Sequence, residues 1–126
     1  MANTTATVER RKHKRYRVEN GAFAVLRPDN VKLGQISEIG MDGLSFRYIA
    51  QQEPPGRSHK LDILLSSTDF HLQKVPFGTI LYSEIRENPS SVIKIRQCTV
   101  QFGELTDNQK VLLQYFIQNH TTGEVV

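Results

Sequence analysis

Segments in which apolar and polar residues alternate recur through the middle of this chain, and stretches rich in proline, glycine, asparagine or aspartate separate them. Alternation with a period of two is typical of strands that bury one face, and such turn-forming stretches end strands. Leu44, Phe46 and Tyr48 are a clear example, since they fall on one face of a strand. About six strands at regular spacing predict a mainly all-β fold, a small antiparallel β-barrel.

The turns define the predicted strands. Phe23 and Val25 alternate in the first, and the others are Val31–Ile39, Leu44–Ala50, residues 61–65, residues 70–85 and Val92–Phe102. Residues 40–43 predict a hairpin turn between the second and third strands. Pro76 cannot donate to a strand ladder, so it predicts an edge position or a bulge. Because the apolar parity changes between Ile95 and Cys98, we also expect a bulge near Arg96 or Gln97.

The last part of the chain has the pattern of a helix. Thr106 and Gln109 fit a capping box, and Asp107 adds a charge that suits the helix dipole. Apolar residues then recur at helical spacing, at Leu112, Leu113, Phe116 and Ile117. One amphipathic helix of residues 106–119 is therefore predicted to pack on the barrel.

The chain has 126 residues, which is the length of one domain with a single core. Its longest apolar stretch is too short to span a bilayer, and the first residues lack the apolar centre of a secretion signal. We therefore expect a cytoplasmic protein that does not insert into membranes. Cys98 lies in an alternating segment, where a buried structural thiol is expected.

The residue pattern does not favour an enzyme. The four histidines are scattered without metal-ligand spacing, at His13, His59, His71 and His120. There is also no phosphate-binding glycine loop and no nucleophile motif in the sequence. We expect no catalytic residues, no metal and no cofactor.

Positive charge is concentrated near the N-terminus. Residues 9–17 carry six arginines or lysines and one glutamate, a net charge of +5 in a chain whose total is +3. The remainder is therefore mildly acidic, which indicates an anionic partner bound at one place. We divide the chain into a disordered segment 1–8, a basic ligand-binding arm 9–17, a barrel 18–105, the helix 106–119 and a tail 120–126.

Arginines dominate the arm. Arg11 and Arg15 are four residues apart, and Arg10 precedes them. Guanidinium groups in this arrangement can bind phosphate through two hydrogen bonds, read the O6 and N7 edge of guanine, or stack on a purine. The alternative is a solvated or nucleic-acid-binding tail.

Arg11-x-x-x-Arg15 is followed by a strand and then by a glycine turn before Leu44-Ser45-Phe46. This pattern resembles that of the PilZ family of bacterial cyclic di-GMP receptors. The resemblance covers nearly the whole chain and includes the late strand Cys98-x-Val100-x-Phe102 and the closing helix. It implies a six-stranded antiparallel β-barrel of PilZ type with a C-terminal α-helix. It also implies that cyclic di-GMP is the ligand.

The second half of the family signature is Asp or Asn, any residue, Ser, any two residues, then Gly. One register matches it at Gln35-x-Ser37-x-x-Gly40, and a second at Glu38-x-Gly40-x-x-Gly43, which we prefer because Leu44-Ser45-Phe46 follows it directly. In this register a carboxylate is kept, and the serine hydroxyl is lost, at a cost of about 1 kcal/mol of binding energy.

The resemblance then implies which residues bind the ligand. They are Arg10, Arg11 and Arg15 from the arm with Glu38, Gly40 and Gly43 from the turn, and Gln35, Ser37 and Ser45 are further candidates. Glu38 would accept hydrogen bonds from a guanine edge, and Ser37 or Ser45 would replace the lost hydroxyl. Gly43 is expected to allow a positive φ or a close approach of the ligand, the alternative being an ordinary hairpin glycine.

Three functions fit these observations. The first is a receptor or adaptor module whose arm closes over cyclic di-GMP, so that a downstream protein reads the change. The second is a degenerate PilZ module that does not bind the nucleotide and acts as a protein-interaction domain. The third, a nucleic-acid-binding small barrel, is not favoured, because no aromatic and basic platform is evident outside the arm. The sequence identifies neither the downstream partner nor the oligomeric state.

Overall fold

A computed structural model describes residues 13–27, 33–49, 60–66, 68–85 and 95–125 of the chain. Within these ranges the chain forms strands joined by turns, and one helix near its end. The elements are β1 (Arg15–Val18), β2 (Ala22–Arg27), β3 (Leu33–Gly40), β4 (Gly43–Ile49), β5 (Lys60–Leu65), β6 (His71–Ile85), β7 (Ile95–Phe102), α1 (Asp107–Asn119) and β8 (Thr121–Val125). The proposed disorder of residues 1–8, the loop predicted after Ala50 and the one before Val92 lie outside the described residues.

Six strands close on themselves in the order β2-β5-β6-β7-β4-β3, and the pairing of β2 with β3 completes the ring. Every pairing between these neighbours is antiparallel. The predicted six-stranded antiparallel barrel with a C-terminal helix is therefore confirmed. The predicted hairpin turn is also present, because only Met41 and Asp42 separate β3 from β4.

Two further strands extend the sheet beyond the ring. β2 and β1 share one edge of β3, where β2 pairs with residues 33–35 and β1 pairs with residues 38–40. β8 then pairs with β1. β1 therefore occupies part of the predicted arm, and β8 occupies most of the predicted tail. Both form because β2 leaves the second half of the β3 edge open, and an open edge recruits another strand.

The inward faces of the strands form one core. Leu44, Phe46 and Cys98 are buried there, as the period of two predicts. α1 adds Leu113 and Phe116, which are both fully buried, so the helix covers part of the barrel interior. Among the described residues, no helix is long and apolar enough to cross a membrane.

The bulges differ from the predicted ones. β7 pairs with β4 without interruption, so the bulge predicted near Arg96 or Gln97 is wrong. The register shift lies instead in the facing strand β6, between Thr79 and Leu81. The change in apolar alternation along β7 is misleading because Ile95, Arg96 and Gln97 are all half-buried, so this part of the strand has no fully exposed face. The bulge predicted around Pro76 lies slightly earlier in β6.

That earlier bulge in β6 touches the start of α1. Gln73 and Lys74 lie opposite the single residue Asp62, and Lys74 has a φ of 56°. The predicted capping box is confirmed, since Thr106 Oγ1 accepts from the Gln109 amide (3.1 Å) and Gln109 Oε1 accepts from the Thr106 amide (2.9 Å). Gln109 Nε2 also donates to the carbonyl oxygens of Gln73 and Lys74, at 3.0 and 3.1 Å. The cap therefore attaches the helix to the barrel.

Replacing Thr106 with alanine is expected to lower the free energy of unfolding by about 1 kcal/mol, because the Gln109 amide loses its acceptor. For a domain of this size the melting temperature should fall by about 4 °C. Thermal unfolding followed by circular dichroism measures the change, and Thr106→Ser, which keeps the hydroxyl, should retain most of the stability. Equal melting temperatures for Thr106→Ala and the native chain would contradict this role.

Candidate functional site

The strand register brings Arg15, the described residue of the Arg11-x-x-x-Arg15 pair, beside the second half of the predicted signature. Arg15 lies opposite Gly40 and Arg17 lies opposite Glu38 in the pairing of β1 with β3. Glu38 in turn lies opposite Ser45 in the pairing of β3 with β4. Directly opposite residues of antiparallel strands share a face, so these five positions lie on one face of the sheet. Because Leu44 and Phe46 of β4 point into the core, this is the outer face.

The turn between β3 and β4 holds the first of these arginines. Arg15 is only 5% exposed, and its Nε lies 3.4 Å from Asp42 Oδ1 in the turn. A Cβ added to Gly40 would lie 3.1 Å from Arg15 Cδ, and one added to Gly43 would lie 3.0 Å from Arg15 Nη2. Arg15, Gly40, Asp42 and Gly43 therefore form one packed unit, which we call the turn cluster. Sequence reasoning missed Asp42, because the signature leaves its position undefined.

Gly43 is required for a reason that the sequence did not indicate. Among the described glycines only Gly21 has a positive φ, of 98°, so the predicted positive φ at Gly43 is wrong. A Cβ at Gly43 would instead overlap the carbonyl oxygen of Val100 in β7. The backbone that comes close to Gly43 is therefore that of β7 and not a ligand.

A groove of about 420 Å³ lies on the same face and is lined by residues of β1, β3, β4, β7 and β8. Three predicted residues line it: Gln35, Ser37 and Glu38. We call it the β3 groove, because β3 forms its floor. β3 is bulged there, since both Ser37 and Glu38 fall opposite Ser45, and the bulge turns these side chains into the groove.

The two candidate serines differ in access. Ser37 lines the groove and its Oγ donates to the carbonyl oxygen of Ser45 at 3.3 Å. Ser45 is 3% exposed, and its Oγ lies 2.8 Å from Thr99 Oγ1. Ser37 is therefore the better placed hydroxyl to replace the one that the signature lacks.

Seven lining residues of the groove are not among the predicted site residues, and Arg17, Arg47 and Thr122 are three of them. Arg17 enters the sequence analysis only through the charge of the arm. Arg47 follows Ser45 by two residues, so the strand alternation places it on the same outer face and could have revealed it. Nothing in the sequence indicates Thr122, because it reaches the groove through the pairing of β8 with β1. Arg10 and Arg11 lie outside the described residues.

A second polar cluster lies around Asp62, which is 3% exposed. Its carboxylate accepts hydrogen bonds from Arg27 Nε and Nη2 (both 2.8 Å) and from the Lys74 amide (2.9 Å), and His71 Nε2 lies 2.7 Å away. Burial raises the pKa of Asp62, but the hydrogen bonds from Arg27, Lys74 and His71 outweigh burial and lower it to about 2. These partners occupy both carboxylate oxygens, so the cluster is structural.

The described residues offer no arrangement for a metal ion, since nowhere in these ranges do three or more His, Cys, Asp or Glu side chains form a suitable group. The titratable and polar groups of the outer face are instead guanidinium, carboxylate, amide and hydroxyl groups. Such a set can hydrogen-bond to phosphate oxygens and to the edges of a base.

Comparisons with models of protein families and with curated protein sequences find no match for this chain. Solved structures do match it. The K. pneumonia MrkH–c-di-GMP complex has a TM-score of 0.69 and 15% identity, over 87% of this chain and 52% of that one. Another structure of MrkH, described as a c-di-GMP-dependent transcription regulatory factor, has a TM-score of 0.64 and 15% identity, over 87% of this chain and 50% of that one.

The PilZ domain of YcgR from Escherichia coli, solved with c-di-GMP, has a TM-score of 0.62 and 12% identity. The match covers 88% of this chain and 91% of that domain. The chain therefore has a PilZ-like fold, and it spans about half the length of the MrkH structures.

Proposed function

We propose that this PilZ-like barrel is a receptor or adaptor module that binds cyclic di-GMP on the outer face of β1, β3 and β4. The observation that supports this most directly is the strand register, in which Arg15 lies opposite Gly40 and Arg17 lies opposite Glu38. Arg15 from the first half of the signature thus lies on the same surface as Glu38 and Gly40 from the second half, beside a groove. The solved structures with the same fold that contain c-di-GMP support the same ligand.

In this proposal each residue of the site has a separate role. Glu38 accepts hydrogen bonds from the donor edge of a guanine in the β3 groove, and Ser37 supplies the nearby hydroxyl. Arg15 acts mainly by position, because it is buried and paired with Asp42. It fixes the end of the arm at the turn cluster. The four residue steps from Arg11 to Arg15 span at most about 14 Å, so Arg10 and Arg11 can reach a ligand on this face.

Closure of the arm is the switch that we propose. Ordering a basic segment over an anion costs conformational entropy, which the new charge-assisted hydrogen bonds offset. A downstream protein would then recognise the closed arm. The proposal places the module in the cytoplasm as a second-messenger receptor, with no catalytic activity and no cofactor.

The second candidate is a PilZ-like module that no longer binds the nucleotide and contacts a protein instead. The burial of Arg15 favours it, because a guanidinium that is 5% exposed and already paired with Asp42 has little surface for a ligand. The replacement of the signature serine by Gly40 points the same way.

Replacing Arg11 with alanine is expected to weaken cyclic di-GMP binding by about 30-fold, because one charge-assisted guanidinium contact with phosphate is worth about 2 kcal/mol. Isothermal titration calorimetry on the full chain measures the affinity. Lys110→Ala, an exposed change on α1 away from the groove, is the matched control and should bind normally. Equal affinities of the Arg11→Ala and native chains would refute the role of the arm.

The same titration separates the three candidate functions. Binding of cyclic di-GMP with no binding of GMP or single-stranded DNA is the expected result. A native chain that binds none of the three would favour the protein-interaction module. A chain that binds single-stranded DNA more tightly than cyclic di-GMP would favour the nucleic-acid-binding barrel.

A further inference from the structure

We infer that Arg17 and Arg47 form a two-arginine clamp across the β3 groove, which binds one phosphodiester group of the cyclic dinucleotide. This inference rests on the proposed function and adds residues outside the family signature to the site. Arg17 lies on β1 and Arg47 lies on β4, so both belong to paired strands of the sheet.

The two arginines belong to opposite sides of the same groove. Arg17 is on β1 and Arg47 is on β4, and β3 lies between these strands. Two strand spacings separate their backbones by about 10 Å across the sheet. Arg17 lies opposite Glu38 and Arg47 lies opposite Gln35, on either side of the bulge at Ser37. A ligand in the groove would therefore have a guanidinium group at each side.

The charges of the groove favour an anion. Arg17 and Arg47 are exposed, and within the described part of the chain no carboxylate lies at ion-pairing distance from either. This contrasts with the described arginines Arg15 and Arg27, which pair with Asp42 and Asp62. Glu38 lines the same groove without forming an ion pair with either arginine, so the two guanidinium groups remain in excess on one concave surface and have the donor geometry for phosphate oxygens.

Arg47 is also held in place. Its Nε donates to Gln97 Oε1 of β7 at 3.4 Å, and Gln97 lines the same groove. This contact occupies one edge of the guanidinium and leaves the two terminal nitrogens for a ligand. Cyclic di-GMP has two phosphodiester groups, and the clamp would bind one of them.

Substitution of Arg47 tests the clamp. Arg47→Gln removes the charge and should weaken cyclic di-GMP binding about tenfold or more in calorimetry, whereas Arg47→Lys keeps the charge but loses the forked donor and should weaken it about threefold. Lys110→Gln is the control and should bind as the native chain does. Because the Arg47 side chain is exposed, the melting temperatures of all four proteins should agree within about 2 °C.

A double variant tests whether the two arginines act together. If Arg17 and Arg47 bind the same phosphodiester group, the effects of Arg17→Gln and Arg47→Gln on the binding free energy should depart from additivity. Native affinity in Arg47→Gln, with the native chain still binding cyclic di-GMP, would overturn the clamp and leave the proposed function standing. Failure of the native chain itself to bind would overturn both. Additive effects in the double variant would show that the two arginines act on separate groups and would overturn the clamp.

Discussion

Alanine at Gly43 is expected to lower the free energy of unfolding by about 3 kcal/mol, the upper part of the range for an overpacked site. The new Cβ would overlap the carbonyl oxygen of Val100 and would lie 3.2 Å from the Gln101 Cα, both backbone atoms of β7. β7 is paired with β4 on one side and β6 on the other, so it cannot shift without disturbing two strand pairings. Urea denaturation measures the loss.

Gly78 provides a matched control for Gly43. Both glycines lie opposite Gln101, Gly43 from β4 and Gly78 from β6. A Cβ at Gly78 would meet no heavy atom of the described residues within 4 Å. Gly78→Ala should therefore be neutral or should stabilise the barrel by up to about 1 kcal/mol, because alanine loses less conformational freedom than glycine on folding. Similar stabilities of Gly43→Ala and Gly78→Ala would show that β7 yields easily at Val100.

Gly43 has a structural role in the barrel that the signature does not indicate. Gly43 was expected to make room for the ligand, whereas its space is taken by β7 and by Arg15 Nη2. A loss of nucleotide binding in Gly43→Ala would therefore report first on the turn cluster. The exposed Arg47 offers a cleaner test of the site, because its substitution should leave the fold intact.

The barrel and the helix could be predicted because their signals are local. Alternation in β4 and β7 and the capping box at Thr106 each depend on residues close together in the sequence. β1 and β8 were not recognised as strands, because Arg15–Val18 carries two charges and its strand form depends on the open edge of β3. An open edge is a property of the assembled sheet, and no local pattern reports it.

The site could be predicted only in part, for a similar reason. The signature gave the residues Arg15, Glu38 and Gly43, but their mutual placement depends on cross-strand register, which a single sequence does not reveal. The burial of Arg15 depends in turn on Asp42 in the neighbouring turn. The alternation Leu61-Asp62-Ile63 suggests an outward Asp62, yet the bulge in β6 covers that side chain.

Asparagine at Asp62 is expected to destabilise the barrel by about 2 kcal/mol at neutral pH, because the partly exposed Arg27 loses its charged hydrogen-bond partner. The carboxylate accepts two hydrogen bonds from Arg27 and one from the Lys74 amide. The asparagine side chain keeps one acceptor, but its amide nitrogen would face the donors of Arg27. Because the Lys74 bond supports the bulge on which Gln109 of α1 rests, the helix should be affected as well.

The same variant should remove an acid-sensitive part of the stability. The pKa of Asp62 is about 2 in the folded chain, against its ordinary value of 3.8, so between these values the folded state binds fewer protons than the unfolded state. The stabilisation is complete above about pH 4 and is lost as the pH falls through about 2, a loss of about 2 kcal/mol. Urea denaturation of the native and Asp62→Asn chains from pH 5 to pH 2 measures the difference.

Asp69→Asn is the control for this series, since Asp69 is exposed and lies just before β6. It should reproduce the native pH dependence, whereas Asp62→Asn should lose stability less steeply below pH 4. Parallel curves for the native and Asp62→Asn chains would contradict the lowered pKa of Asp62. They would mean that the Arg27–Asp62 pair contributes equally to the free energy of unfolding at pH 5 and at pH 2. The difference between the curves isolates the Asp62 carboxylate, because the other acidic groups of the chain are present in both proteins.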